Sequence, residues 1–559
     1  MKFVRIKMGL LIVCITLNQQ LVGQTITAEE QRRIDQIFED FDHPTRPGAG
    51  LCIMKDGEVI WKKGYGSANL EYEIPVQPHT VFHVASVSKQ FTVFSLLLLE
   101  EEGKLSFDDD IRKFIPELPS FGTTITLRHL ASHTSGLRDH WDLYCLAGGR
   151  MDDAITNDHL LKLIVRQQEL NFIPGEKYWY SNTGYTLLAE VIERVSGQTL
   201  AAFTQKRIFE PLGMKNSQFY DDHEKIVPNR AYSYEQRGDS YKKRVLSFSI
   251  TGSTSVFTTL DDISAWVLNF ESPKVGNAEI LAKMETLAQL NDGSTFTGAY
   301  GLFVNNYNGY KQIFHEGSDA GYRAYLSRFP EERLAIAVFS TSAETDSEGL
   351  ALEVADIFLE NKSKIPENKP VYPPKFIDLS PEKLESFTGY YWNPQRQLAR
   401  RIYLQNDTLR YFRGKGNESL MSPISNHAFQ MLGLSASVEV KFVRQDAAYQ
   451  MEVTVNNGNS IFFEAYTPAD YSQEDLNDFV GDYFSDELDC FYRIRVKEET
   501  LILQRPRLED IELKAFKNDV FLADLWYLRE VRFVRDTEGR VDALLVSGER
   551  VNELAFSKR

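Results

Sequence analysis

The sequence has little cysteine for its length, with four cysteines in 559 residues. Cys14 lies near the start, and the other three, Cys52, Cys145 and Cys490, are far apart and odd in number. A chain this long can bury a large core without covalent cross-links, so this usage does not indicate a disulfide framework. None of the three has a second cysteine at metal-ligand spacing, so each is predicted to be an isolated thiol.

Long apolar runs are also scarce. The run over residues 8–17 follows three basic residues and is about half the length that a membrane-spanning helix requires. Small Gly23 stands at a suitable cleavage position. The pattern predicts a signal peptide over residues 1–23 and an exported protein, periplasmic or secreted, with no stable membrane insertion. A lipoprotein is not favoured, because Cys14 lies inside the apolar run.

The sequence has fewer basic than acidic residues. Lys and Arg number 62 against 79 Asp and Glu, a net charge of −17 that becomes −20 once the three basic residues of the leader are removed. Such a chain repels phosphate backbones, which argues against nucleic-acid binding. A Walker A pattern and a Gly-x-Ser-x-Gly elbow are missing as well. With 43% hydrophobic and 12% aromatic residues, the chain is globular and long enough for about three or four domains.

Residues 25–365 have a mixed pattern of helices and strands. A capping box, Thr27-x-x-Glu30, opens the segment, and helical patterns dominate from about 86 to 270. Strand patterns lie on both sides of this helical block, so the two halves of one sheet come from opposite ends of the segment. The predicted strands are Gly50–Met54, Val59–Trp61, Gly301–Val304, Tyr310–Phe314, Ala324–Phe329 and Leu334–Ser340.

The last third of the chain is a tandem duplication that follows a proline-rich linker over residues 366–380. Phe387-x-Gly389-x-Tyr391 recurs 92 residues later as Phe479-x-Gly481-x-Tyr483. Each copy, 381–470 and 471–559, is rich in alternating strand patterns separated by turns. The pattern predicts two small antiparallel β-modules, each barrel-like or sandwich-like and a domain in its own right.

The strongest chemical signal is Ser86-x-x-Lys89 before the very apolar run Phe91–Leu99. Residues i and i+3 share a helix face, which brings the lysine to the serine, and burial beside an apolar helix lowers a lysine pKa toward the neutral base. The same four-residue pattern occurs at Ser240 and Lys243, in a charged stretch with no apolar helix behind it. Context therefore favours Ser86 as the nucleophile.

Two further motifs supply polar groups. Tyr180-x-Asn182 offers a phenol that can relay a proton and an amide that can hold a lysine or a substrate carbonyl, although Asn182 could instead cap a helix that begins near Tyr185. His315-x-Gly317 stands between two strand patterns, where glycine permits close approach to the backbone. Taken alone, either motif is also compatible with a purely structural role.

Together the three motifs resemble the serine β-lactamase and penicillin-binding-protein superfamily, nearest its class C branch with related esterases and D-aminopeptidases. The resemblance covers about residues 45–345. It implies an α/β (α+β) domain with a five-stranded antiparallel sheet flanked by helices, and a helical lobe across a cleft. The D-aminopeptidases of this family carry two further β-barrels, which suggests barrel-like, lipocalin-like modules for the duplicated tail.

The resemblance also implies roles for the site residues. Ser86 would form the acyl-enzyme, with Lys89 and Tyr180 sharing the base role. Substrate binding would fall to Asn182, His315, Gly317 and Ser318, with the backbone N–H groups of Ser86 and Ser318 as the oxyanion hole. No cofactor and no metal are expected.

One departure from the family pattern bears on the substrate. Many β-lactamases and transpeptidases have a lysine where this chain has His315, and Glu316 adds negative charge beside it. His315-x-Gly317 resembles instead the D-aminopeptidases and some esterases of the family, and this resemblance implies a peptidase on D-amino-acid-containing peptides or amides, of the D-aminopeptidase or D-Ala-carboxypeptidase type. A carboxylesterase or weak β-lactamase, and a catalytically silent penicillin-binding or sensor module, are the alternatives. The expected partner is a small peptide, amide or ester, including cell-wall fragments, and the oligomeric state is left open.

Overall fold

The computed structural model describes residues 26–359, 375–394, 398–414, 417–434, 437–445, 448–455, 458, 460–506 and 508–559. The predicted signal peptide and most of the predicted linker lie outside these residues. Among the described helices, none is long and apolar enough to cross a membrane.

The first domain is organised around one antiparallel sheet. Its first two strands come from the beginning of the domain and pair with four from its end, as the sequence pattern predicts. The sheet has six strands, one more than the family resemblance implies, because Phe303–Tyr307 pairs along its edge. In order across the sheet the strands are Phe303–Tyr307, Tyr310–Asp319, Tyr322–Phe329, Leu334–Ser340, Ala49–Lys55 and Glu58–Tyr65.

Helices cover the sheet and form the lobe opposite it. The helix Lys89–Glu101 is buried on every side from Lys89 to Leu99, which explains its unbroken apolar run. It packs against the helix Asn182–Ser196 of the lobe. The other helices of this domain are Ala28–Ile37, Leu127–Ala131, His140–Leu146, Asn157–Ile164, Leu200–Thr204, Glu210–Leu212, Leu260–Leu268, Ala278–Met284 and Ser347–Phe358.

The duplicated tail forms two closed, eight-stranded antiparallel barrels, each preceded by a short helix (Pro381–Glu385 and Gln473–Leu476). The predicted fold class, an α/β domain followed by two barrel-like modules, is confirmed. The strands of the first barrel are Gly389–Asn393, Leu398–Gln405, Thr408–Gly414, Asn417–Pro423, Ala428–Met431, Val438–Gln445, Ala448–Val455 and Ile461–Tyr466. Those of the second are Gly481–Ser485, Cys490–Lys497, Thr500–Gln504, Ile511–Lys517, Val520–Leu525, Leu528–Arg535, Val541–Ser547 and Leu554–Lys558.

The repeated aromatic motif makes the same contacts in both barrels. Phe387 and Phe479 are fully buried, each in the apolar core of its own barrel. The hydroxyl of Tyr391 donates to the carbonyl of Phe387 at 2.9 Å, and that of Tyr483 donates to the carbonyl of Phe479 at 2.8 Å. The sequence repeat therefore corresponds to one repeated hydrogen bond, which joins the first strand of each barrel to the residues that follow the short helix before it.

The second barrel is docked on the helical lobe by the helix His140–Leu146. Leu143 and Leu146 of this helix belong to the apolar core of the barrel. The carbonyl groups at the end of a helix lack partners within it. Here the Tyr492 hydroxyl donates to the carbonyl of Leu146 at 2.8 Å, and Arg505 donates to that of Cys145 at 2.9 Å. The barrel thus both buries the helix and caps its C-terminal end.

Candidate active site

Ser86 lies on a tight turn that exposes its side chain at the start of a buried helix. The 3₁₀ turn Ala85–Ser88 leads directly into Lys89–Glu101. Ala85 has a φ of +46°, a conformation that costs free energy for a residue with a Cβ. The Ser88 hydroxyl donates to the carbonyl of Ala85 at 2.5 Å and accepts from the N–H of Val256, so neighbouring structure holds the turn in place.

Lys89 is fully buried and lies beside the serine. Its Nζ is 3.1 Å from Ser86 Oγ, and it donates to Asn182 Oδ1 at 2.9 Å and to the carbonyl of Ser253 at 2.6 Å. Burial lowers the pKa of Lys89 to about 7, while the negative charge of Asp319 opposes this shift and Arg550 adds to it. A neutral amine has two N–H groups, and the two oxygens take both. Its lone pair is then left for the proton of Ser86.

Tyr180 contacts the same serine from the lobe. Its ring stacks on that of His133 with centroids 4.2 Å apart, and its hydroxyl is hydrogen-bonded to the Ser86 side chain. Burial raises the pKa of Tyr180 well above its ordinary value of 10, with Ser86 acting in the opposite direction. The phenol therefore keeps its proton at neutral pH and is suited to donate it, whereas Lys89 is suited to accept one.

Asn182 links the lysine to a buried carboxylate. The helix Asn182–Ser196 begins at this residue with Ser181 as its N-cap, so the capping role considered for Asn182 is not the one it takes. While its Oδ1 accepts from Lys89, its Nδ2 donates to Asp139 Oδ2 at 3.1 Å and its main-chain N–H donates to the same oxygen at 2.5 Å. Asp139 thereby fixes which way the amide of Asn182 faces.

The strand Tyr310–Asp319 forms the opposite wall. A Cβ on Gly317 would lie 2.3 Å from the carbonyl oxygen of Val84, so only glycine allows the strand to approach the turn that carries Ser86 this closely. His315 Nδ1 lies 2.6 Å from the carbonyl of Glu316, and burial, with Lys89 nearby, lowers the pKa of His315 to about 3. His315 is therefore a neutral ring at physiological pH and supplies no positive charge.

These residues surround a cavity of about 420 Å³ that three residues of the second barrel help to enclose. Trp526, Glu549 and Arg550 belong to the barrel. The remaining lining residues, all from the first domain, are Ser86, Trp141, Met151, Tyr178, Tyr180, Asn182, Thr254, Phe303, His315, Glu316, Ser318 and Asp319. The site is thus built by both domains.

The loop that carries Glu549 and Arg550 is bonded to the first domain by its backbone. The N–H of Arg550 donates to Asp142 Oδ1 at 3.0 Å, and its carbonyl accepts from the N–H of Asp139 at 3.2 Å and from Asn171 Nδ2 at 3.0 Å. The Trp179 indole donates to the carbonyl of Glu549 at 3.1 Å. Main-chain bonds fix the loop whatever its side chains are.

The structure brings the predicted site residues together in one cleft. Ser86, Tyr180, Asn182, His315 and Ser318 line the cavity, Lys89 lies behind Ser86, and Gly317 backs the turn. The competing pattern, Ser240 to Lys243, lies on the exposed strand Ser240–Arg244. No group of three or more His, Cys, Asp or Glu side chains among the described residues is arranged to hold a metal ion.

Sequence reasoning missed Asp139, His133 and all three barrel residues. The ring of His133 stacks on that of Tyr180, a contact between two segments that are far apart in the sequence. Arg550 lies in a short polar turn between two strands, a kind of segment found on every barrel. Nothing in its local sequence marks it, because its place at the cavity depends on how the barrel is docked.

A mixed α/β domain of this topology brings a serine, a lysine and a tyrosine together in its cleft. A family model described as Beta-lactamase matches residues 34–358, more than half of the sequence. The chain therefore belongs to the β-lactamase family.

Similar proteins have related descriptions. A D-aminopeptidase of Gluconobacter oxydans (strain 621H) is 29% identical over 296 residues, 52% of this chain and 55% of that protein. Penicillin-binding protein 4* of Bacillus subtilis (strain 168) is 26% identical over 452 residues, 77% of this chain and 97% of that protein. The match thus spans little more than half of the D-aminopeptidase.

Among solved structures, the octameric penicillin-binding protein homologue from Pyrococcus abyssi superposes with a TM-score of 0.54 and 23% identity, covering 78% of this chain and 99% of that one. D-amino acid amidase from Ochrobactrum anthropi SV3 gives a TM-score of 0.51 and 21% identity, over 58% of this chain and 96% of that one. At this level of identity both likenesses show the shared fold.

Proposed function

We propose that this protein hydrolyses amide bonds next to D-amino acids through an acyl-enzyme on Ser86. The observation that carries the proposal is the setting of Lys89, whose two N–H groups face carbonyl oxygens while its Nζ lies 3.1 Å from Ser86 Oγ. The D-residue preference is supported by the similarity to D-aminopeptidases, at 29% identity. Export is proposed from the N-terminal pattern alone.

In the proposed reaction, Ser86 Oγ bonds to the substrate carbonyl carbon as its proton passes to Lys89. The N–H groups of Ser86 and Ser318 would stabilise the oxyanion, each by about 3 kcal/mol. The carbon–nitrogen bond then breaks while the leaving nitrogen takes a proton from Tyr180, which recovers one from Lys89. A water oxygen then bonds to the ester carbonyl carbon and gives one proton to Lys89. The bond from that carbon to Ser86 Oγ breaks, the acid product leaves, and the proton returns from Lys89 to Ser86 Oγ.

The test compares the two Ser-x-x-Lys patterns of the chain. Purified wild type, Ser86→Ala and Ser240→Ala proteins are assayed with D-alanyl amides, D-Ala-D-Ala peptides, short-chain esters and nitrocefin. Intact-mass spectrometry follows the acyl-enzyme. We expect hydrolysis of the D-residue amides by wild type and Ser240→Ala and its loss in Ser86→Ala.

Other outcomes contradict the proposal in distinct ways. Activity confined to esters or nitrocefin would indicate the esterase or β-lactamase alternative. An acyl-enzyme that forms and never turns over would indicate a penicillin-binding or sensor module. Full activity in Ser86→Ala would refute the assignment of Ser86 as the nucleophile. Export is tested separately by cell fractionation and N-terminal sequencing, which should find a mature chain that begins near residue 24.

A further inference from the structure

The cavity has one basic side chain, and it comes from the second barrel. His315 is neutral, and Lys89 is buried behind Ser86 with its N–H groups engaged. Among the described residues that line the cavity, Arg550 is the one arginine or lysine. His315 supplies no positive charge to the cavity, and the positive charge that is present there comes from Arg550 of the second barrel.

The Arg550 side chain is held over the catalytic tyrosine. Its Cζ lies 5.0 Å from the centre of the Tyr180 ring, and the side chain is 29% exposed. Its one ion-pair contact among the described residues is a long one, 3.4 Å from Nη2 to Glu549 Oε1. A guanidinium has five N–H donors, so this contact leaves donors for a ligand in the cavity.

Because the Arg550 side chain lies over the Tyr180 ring, it faces the leaving-group end of the substrate. In the proposed reaction the leaving nitrogen takes its proton from Tyr180, so the leaving group lies on the Tyr180 side of the cavity. In a peptide that ends after the scissile bond, the carboxylate carbon lies two bonds from that nitrogen, about 2.5 Å away. A guanidinium binds a carboxylate in bidentate geometry.

We infer that Arg550 binds the free α-carboxylate of the leaving amino acid, so that the preferred substrates are peptides cleaved before their last residue. The inference rests on the proposed function and narrows it from amidase chemistry in general to carboxypeptidase chemistry. The second barrel is then a part of the active site that sets its specificity.

Acidic residues in the cavity define the competing outcome, a substrate with a free ammonium group. Asp319 is hydrogen-bonded to Thr254, and burial raises its pKa to about 6. Glu549 faces Arg550 and also Arg529, at 3.3 Å. Glu316 has its pKa raised by burial and lies within the electrostatic reach of Arg550. Asp319 and Glu549 are thus engaged by neighbouring groups, whereas the guanidinium of Arg550 has donors left for a ligand.

The test uses two substrates that differ in one group, N-acetyl-D-Ala-D-Ala and its C-terminal amide. The ratio of their kcat/KM values is measured for wild type, Arg550→Gln, Arg550→Lys and Arg540→Gln. Arg540 is a matched control, since it belongs to the same barrel and pairs with Asp536 on the surface. We expect a wild-type preference for the free acid on the order of tenfold, from a charge-assisted hydrogen-bond pair.

Arg550→Gln should bring the ratio close to one, Arg550→Lys should keep part of it, and Arg540→Gln should match wild type. A wild-type ratio at or below one, an unchanged ratio in Arg550→Gln, or a preference for substrates with a free amino group would overturn the inference. Binding of the same two compounds to Ser86→Ala and to Ser86→Ala/Arg550→Gln, by calorimetry, gives the same comparison without turnover. A protein that forms no acyl-enzyme but binds the acid through Arg550 would thus refute the proposed function alone.

Discussion

The main-chain N–H of Arg550 donates to the carboxylate of Asp142 at 3.0 Å, across 408 residues of sequence. Three residues before Asp142, Asp139 binds the Arg550 carbonyl with its own N–H and holds Asn182 with its carboxylate. Asn182 in turn accepts from Lys89. One short segment of the first domain, residues 139–142, therefore holds the barrel loop and, through Asn182, also Lys89, so a displacement of the barrel should change the surroundings of Lys89.

The first prediction concerns pH. Lys89 accepts a proton only as a neutral amine, and its pKa is lowered to about 7 by burial. Acylation should therefore rise with pH, level off above about 7, and fall about tenfold for each pH unit below that. Stopped-flow measurement of acylation between pH 5 and 9 checks this, and a rate that is flat across that range would contradict Lys89 as the base.

The charge of Asp319 predicts the direction in which a variant at this residue moves the pH profile of acylation. Three charged groups act on Lys89: Asp319 and Asp139 raise its pKa, and Arg550 lowers it. In Asp319→Asn the loss of a negative charge should lower the Lys89 pKa and move the rising limb to lower pH. Glu331→Gln, an exposed change on the turn Pro330–Glu332, serves as the control and should leave the limb in place. Movement toward higher pH in Asp319→Asn would contradict the assignment.

The second prediction is that Gly317→Ala abolishes acylation. The new Cβ would lie 2.3 Å from the Val84 carbonyl and 3.2 Å from the Ser86 main-chain nitrogen, so the turn that carries Ser86 must move. We expect a loss of at least about 100-fold in acylation rate, as for loss of an oxyanion donor, and about 1–3 kcal/mol in stability.

Gly50→Ala is the matched control, on another strand of the same sheet. There the three atoms nearest to the new Cβ all belong to the Leu260 side chain, the first at 3.0 Å. It should cost stability through packing and leave acylation within a few-fold of wild type. Equal loss of acylation in the two variants would show that the effect at Gly317 is not local.

The third prediction concerns a buried ion pair between the two domains. Arg138 Nη1 lies 2.6 Å from Glu487 Oε2, with side chains 2% and 7% exposed. Glu487→Leu removes the buried partner of Arg138 and leaves it, among the described residues, only a long ion-pair contact of 3.8 Å to the exposed Glu169, so it should destabilise the docked barrel by about 3–5 kcal/mol. Glu487→Leu should also reduce kcat/KM, because Asp139 and Asp142, which follow Arg138 in the chain, hold the Arg550 loop by hydrogen bonds.

Two comparisons make this test specific. The double variant Arg138→Met/Glu487→Leu should recover part of the lost stability, since no buried charge is left without its partner. Asp536→Asn, which weakens the exposed pair with Arg540, should leave the stability close to that of wild type, because exposed ion pairs contribute little. Calorimetric unfolding and steady-state kinetics on the full chain measure both effects, and an Asp536→Asn effect equal to that of Glu487→Leu would refute the argument.

Much of the fold could be predicted because its signals are local. The apolar run behind Lys89 gives a fully buried helix, and the strand patterns on both sides of the helical block give one sheet. The motif Phe387-x-Gly389-x-Tyr391 and its repeat build the same hydrogen bond in two barrels. The predicted domain boundaries and the predicted catalytic roles remain to be tested.

The sequence by itself determined which residue types are available for acyl transfer and how they are spaced along three motifs. Two residues at positions i and i+3 of a helix lie close together in any tertiary environment. Only the tertiary structure decided their electrostatics, since the pKa of Lys89 depends on burial and on charges contributed by distant segments. It alone also decided that Arg550 lines the cavity. That position follows from the docking of a barrel on the helix His140–Leu146, a packing of apolar surfaces that leaves no pattern in the turn where Arg550 lies.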